Sequence, residues 1–162
     1  VLKYGGTATE HKNEYRIRVP IPNSEFDFYI AKATSQTGIC SVLGLGKTHE
    51  NDSYGIDIRS TYEHLQDAMT AKYGLFKSYD FLSAGSIWKN PNDSAMAFYK
   101  HEKHLASFWS SEYSSINLGN LESIGLIVHA LNSSDTYLNL KYEFKNINKC
   151  NEIMDSNDNA GL

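Results

Sequence analysis

Hydrophobic and polar positions alternate with period two over residues 15–21, where Tyr15, Ile17, Val19 and Ile21 interleave with Arg16, Arg18 and Pro20. That pattern predicts a half-buried strand, and Pro20 and Pro22 put it at an edge or end it. The stretch PNSE then turns the chain into EFDFYIAKA, with Phe26, Phe28 and Ile30 on one side, which predicts a hairpin. After the turn SQTG, residues 39–45 predict a third strand and THENDSYG a polar loop. Here the period changes. Ile58, Tyr62, Leu65, Met69 and Tyr73 recur at helical spacing and Gly74 follows them, so a helix is predicted over 57–73. Ser60 and Glu63 offer a capping box if it begins later.

Residues 75–91 are aromatic-rich without a clear period and predict a packed connection with at most a short strand. Asn90-Pro91 and Asn92-Asp93 carry helix-start chemistry for a second, shorter helix to about residue 102. Residues 104–109 return as a strand, and SSEYSSINLGN is a loop. Further on, Ile124, Leu126, Val128 and Ala130 point to one face while Ile127, His129 and Leu131 point to the other, the expectation for a central strand covered on both sides. A turn at 132–135 leads to the cleanest alternation of the chain. Leu138, Leu140, Tyr142 and Phe144 face inward there, and Asn139, Lys141, Glu143 and Lys145 outward. A final short helix from about Asn148 sets Ile147, Cys150 and Met154 on one side.

Strands, then helices, then strands predict an α+β fold: a single, mostly antiparallel sheet of about five to six strands with two to three helices packed on it. The whole chain, 1–162, reads as one domain. Residues 1–13 are expected to form a loose arm or short edge strand, and 156–162 a frayed tail. No internal repeat is visible.

Composition narrows the function classes. At 162 residues with 41% hydrophobic positions the chain can bury one core, and no apolar run approaches the length of a membrane span, which predicts a soluble protein. Net charge is −4 and the arginines are three, Arg16, Arg18 and Arg59, so no basic field exists for a nucleic-acid backbone. Taken over the whole chain, mild acidity points toward a basic protein partner if toward any. The chain starts at Val1 without a charged-then-apolar leader, as a mature chain with its export signal removed would; a trimmed chain reads the same way.

Cys40 and Cys150 lack the close spacing of a zinc site or a redox pair. In an exported protein they form one disulfide, closing a long loop for about 4 kcal/mol in the chain-entropy model. In a cytosolic one they are two buried thiols.

Gly46-Lys47-Thr48 has the ending of a nucleotide-binding P-loop, whose glycines let backbone N–H groups cradle phosphate where a strand opens into a helix. The position five residues before Gly46 is Ser41 rather than glycine, residues 42–45 read as strand, and the acids Glu50 and Asp52 follow closely. Gly44 and Gly46 therefore read as relief of crowding in a sheet. His101 and His104 stand three apart, not four as in H-E-x-x-H, with Lys100 and Lys103 beside them. Help from His49 or His64 would be needed for a metal. His129 on an apolar strand reads as a core histidine, no serine lies in G-x-S-x-G, and the carboxylates are scattered. No catalytic residue, cofactor site or metal ligand is nominated. The aromatics offer a recognition surface instead, with Tyr54, Trp88, Tyr99 and Trp109 as its candidates beside the plainer reading of core packing.

The segments GICSVLGLGK, SYGIDIRSTYEHLQDAMTAKYG, YDFLSAGSIW and YLNLKYEFKN followed by Cys150 resemble a pattern in small bacterial proteins that carry export signals. The resemblance spans roughly residues 38–150 and carries no catalytic signature. It implies a periplasmic, cell-surface or secreted location and supports pairing of Cys40 with Cys150. An aromatic near Ser94 and an arginine near His104 would complete the pattern, and this chain departs from it there. The expectation is a non-enzymatic protein-binding module, of inhibitor or immunity type; the alternative is a small hydrolase or metal-dependent enzyme with a site assembled from loops.

Overall fold

A computed structural model describes residues 6–113 and 117–159. Eight strands form one antiparallel sheet: β1 (Thr7–Ala8), β2 (Glu14–Ile17), β3 (Phe26–Thr34), β4 (Gly38–Gly46), β5 (Lys77–Leu82), β6 (Lys103–Ser110), β7 (Leu121–Ala130) and β8 (Thr136–Phe144). The helices are α1 (Ile56–Tyr73), α2 (Ser94–Tyr99) and α3 (Ile147–Asn159), with a 3₁₀ turn at Pro91–Asp93 leading into α2. The α+β class and the antiparallel sheet agree with the pattern of the chain. The strand count does not, since eight replace the expected five to six.

Both extra strands lie where periodicity is weakest. β1 is two residues paired with β2 inside the segment expected as a loose arm or short edge strand, of which residues 1–5 lie outside the described residues. β5 lies in the aromatic connection and pairs with β6 from Lys77↔Phe108 to Leu82↔Lys103. β2 stops at Ile17, before the two prolines, because proline offers no N–H to a ladder. At the other end α3 continues to Asn159, so residues 156–159 of the expected frayed tail are helical, and 160–162 lie outside the described residues.

The sheet order β1-β2-β3-β4-β8-β7-β6-β5 resolves into two four-stranded meanders joined at β4 and β8. Each meander is followed by a helix, and each helix packs on the other meander: α1 on β7 and β8, α3 on β3 and β4. The repetition is of topology and leaves no repeat in the sequence.

All three helices lie on one face. Residues opposite one another in an antiparallel pair share a face, so the register separates the two sides. Trp109, Ile124, Leu126, Leu138 and Leu140 pack with Ile58, Tyr62, Leu65 and Met69 of α1 and Phe98 of α2. Cys40 continues this covered face to α3, where it and Cys150 meet at disulfide distance with Cα atoms 6.2 Å apart. Cys40 is the extra residue of a bulge, since the register passes from Lys32↔Ser41 to Ala33↔Ile39.

α1 is anchored by a residue outside it. Asp52, buried in the loop before the helix, accepts the N–H groups of Asp57 (3.1 Å) and Ile58 (3.0 Å) and the hydroxyl of Thr136 (2.8 Å). That carboxylate satisfies the orphan donors of the first turn and suits its positive end. Gly74, at φ 78°, ends the helix as the sequence predicts.

Candidate functional site

Among the described residues no helix lies on the second face of the sheet. Ile127 and His129, expected beneath a second covering layer, lie on it, because their neighbours Leu126 and Val128 face the helices. By the same register it holds Phe28, Ile30, Leu43 and Leu45 from the first meander. From the second come Tyr79, Phe81, Phe108 and Tyr137. Tyr79 and Phe81 are 37% and 48% exposed, and the others are half-buried by one another rather than by a covering element.

Ring contacts order this face. Tyr79 meets Phe108 edge-on at 5.9 Å, Phe81 stacks on His104 at 4.6 Å, and His129 stacks on Tyr137 at 5.2 Å. Each contact joins neighbouring strands, the arrangement by which aromatic pairs stabilise a sheet. Gly125 makes room for one of them: a Cβ there would stand 3.2 Å from Phe108 Cε1, so the ring lies across the glycine.

Charge on the same face is patterned. Glu14 is paired with Lys32 (3.3 Å) and Glu143 with Lys141 (2.6 Å). Two exposed cations sit on rings, Arg16 over Phe28 at 4.6 Å and Lys77 toward Tyr79 at 5.4 Å. Beyond its two ion pairs the face thus presents Arg16 and Lys77, the latter with Glu112 nearby, in a chain of net charge −4.

The four aromatics singled out from the sequence do not form one surface. Trp109 is fully buried and packs on Phe76 at 5.4 Å, so it belongs to the core: its place on β6 faces the helices. Tyr54 is exposed in the loop before α1, Tyr99 is exposed at the end of α2, and Trp88 is half-buried in the connection after β5. Alternation decides which rings emerge, and the rings on the open side sit at positions 28, 79, 81, 108 and 137.

The tempting motifs resolve into structure. Gly46 is the last residue of β4, the Lys47 N–H donates to the Glu25 carbonyl (2.9 Å), and α1 begins only at Ile56. Both glycines permit close approach: a Cβ on Gly44 would stand 2.9 Å from Phe26 Cδ1, and one on Gly46 2.6 Å from the Leu138 carbonyl oxygen. His49 bridges to Thr136, His64 is on α1, His101 closes α2 at φ 57°, and His104 is on the helix-free face. Among the described residues no three of His, Cys, Asp and Glu come together to hold a metal. His101, His104 and His129 do border a cleft of about 80 Å³, and burial, with His101 nearby, keeps the His129 pKa below its usual value.

One contact has the form of an activated nucleophile. The Lys103 ammonium donates to the Ser94 hydroxyl, and burial, then Arg59, lower the lysine's pKa. Ser94 is only 4% exposed, and its Oγ would lie 3.0 Å from a Cβ on Gly55. An acyl group has no room above that oxygen. The pair reads as a satisfied buried contact fixing α2 to β6.

No protein-family model matches the chain, and comparison with curated proteins and with solved structures finds no match. No helix among the described residues is long and apolar enough to cross a membrane.

Proposed function

We propose that this chain is a non-enzymatic binding module that engages another protein through the helix-free face of its sheet. The observation that carries the reading is the apolar and aromatic face spanning both meanders, with Phe28, Leu43, Phe108 and Tyr137 covered by no other element among the described residues. Contiguous apolar surface rimmed by polar groups marks an interaction site, and aromatic rings on a rigid sheet bind at low entropic cost. Arg16 and Lys77, held out on their rings, fit a partner that sets carboxylates around an apolar centre. This local charge is opposite to the chain's overall balance, so the complement is an acidic surface rather than a basic one.

The proposed location is the periplasm, the cell surface or the secreted medium. Support comes from the disulfide-distance pair Cys40 and Cys150, which suits an oxidising compartment. An inhibitor or immunity-type role accords with a binder whose motifs resolve into structure.

The test is capture from an envelope fraction by immobilised wild type and two variants. Leu43→Asp with Phe108→Ser, on the helix-free face, is expected to lose the captured protein. Asp67→Lys, on the solvent side of α1, is expected to retain it. Equal capture by both variants would remove the reading. The alternative, a small hydrolase, is favoured by the Lys103–Ser94 contact alone; labelling of Ser94 by a fluorophosphonate would revive it.

A further inference from the structure

The two edges of the sheet differ. β1 offers two residues, whereas β5 offers six, Lys77–Leu82, each of them exposed. β5 pairs with β6 on one side and with no described strand on the other. It contains neither proline nor bulge, two of the devices by which proteins blunt such an edge, and of its two charges Lys77 stands at the first position while Asp80 is held by Arg59.

Which backbone groups face outward follows from the ladder. The Ser83 N–H donates to the Glu102 carbonyl at 2.7 Å, which marks that opposed pair as hydrogen-bonded. Hydrogen-bonded pairs recur every second residue, so Lys77, Tyr79 and Phe81 direct their N–H and C=O toward β6. Ser78, Asp80 and Leu82 direct theirs to the open edge.

A second copy of this strand fits that edge in one register. Related by a two-fold axis perpendicular to the sheet, the helix-free faces of both copies stay in phase only when odd residues oppose odd and even oppose even. Centring the axis on Tyr79 sets Tyr79 against Tyr79 of the second copy, Ser78 against Asp80, and Lys77 against Phe81. The two Ser78–Asp80 pairs are then the hydrogen-bonded ones, with all their outward groups matched. Shifting by one pair toward the C-terminus would set Asp80 against Asp80, a destabilising arrangement. The opposite shift leaves Asp80, Phe81 and Leu82 without partners in β5, against Leu82 alone in the favoured register. In the favoured register no like charges face each other, and each Asp80 is already held by Arg59 through two contacts of 2.9 and 3.1 Å.

We propose that the protein self-associates through β5 into a two-fold dimer with one continuous sixteen-stranded sheet. The Tyr79–Phe108 contact in each copy then joins across the axis into a row of four rings, and the two helix-free faces become neighbours. The interface is isologous and small, so the association is weak and depends on concentration. It does not depend on what the open face binds.

Sedimentation across a protein concentration series tests it. The wild type is expected to shift from monomer to dimer as concentration rises. Ser78→Pro removes one outward N–H where an edge strand tolerates proline, and is expected to abolish the shift while leaving circular dichroism and melting unchanged. Thr7→Pro, on the opposite edge, is expected to dimerise like wild type. As a second probe, Tyr79→Cys is expected to cross-link between copies on mild oxidation, since non-hydrogen-bonded pairs bring Cα atoms to about 4.5 Å. A protein that stays monomeric throughout, a dimer indifferent to Ser78→Pro, or an absence of cross-linking at position 79 would overturn the proposal.

Discussion

The two faces of the sheet are made from the same strands and nearly the same kinds of residue, yet the helices cover only one of them. On β7, Ile124, Leu126 and Val128 are buried beneath α1 and α2, while Ile127 and His129, one position away in each case, are only half-buried. On β6, Trp109 is fully buried and its neighbour Phe108 lies open across Gly125. Apolar character alone therefore does not distinguish core from surface in this fold. The covering helices do, and a strand apolar on both sides with a helix on one leaves an apolar surface open, the surface proposed for binding.

If that division holds, substitutions on the covered face cost stability and those on the open face cost recognition. The largest effect is expected from Trp109→Ala, which empties the centre of the core and should destabilise by about 3–5 kcal/mol in a denaturant titration. Next is reduction of the Cys40–Cys150 pair. The residues are 110 apart in sequence, and loosening that loop should cost about 4 kcal/mol in the chain-entropy picture, read as a lower melting temperature with reductant. Asp52→Ala removes the carboxylate that caps α1 and strands the Thr136 hydroxyl, for a loss of about 2 kcal/mol with the strand signal intact.

A smaller effect probes the open face through pH. Burial, then the nearby His101, depress the His129 pKa in the folded chain below its ordinary 6.5. The unfolded chain therefore takes up the proton first as pH falls. Stability from neutral His129 is complete above about pH 6.5 and is lost as pH drops through the folded pKa. His129→Gln should flatten that part of a stability profile, below about pH 6.5. Smallest in stability and largest in recognition is Phe108→Ser, expected to cost under about 1 kcal/mol while removing capture of the partner protein.

Much of this architecture is legible in the residues. The spacing from Ile58 to Met69 with Gly74 gives α1, alternation over 138–144 gives β8, and the departures from a P-loop around Gly46 leave sheet backbone. β1 can be read only as one of two alternatives, a loose arm or a short edge strand, because two residues carry no period. β5 can be read only as a short strand at most within a packed connection, because Leu75 and Phe76 before it and Leu82 at its end blur the alternation of Tyr79 and Phe81 with Ser78 and Asp80. The candidate site was the least legible part. Phe108 and Trp109 are adjacent aromatics on one strand, and which of them reaches solvent depends on where α1 crosses the sheet. The register supplies that, and no local pattern does.

The most direct test of the central claim is hydroxyl-radical footprinting of the protein alone and with its captured partner. The account predicts that Phe28, Phe108 and Tyr137 become protected on binding while Tyr54 and Tyr99 stay as reactive as before. Protection of Tyr54 and Tyr99 with no change at Phe108 and Tyr137 would contradict it, and would move recognition to the helical side of the molecule.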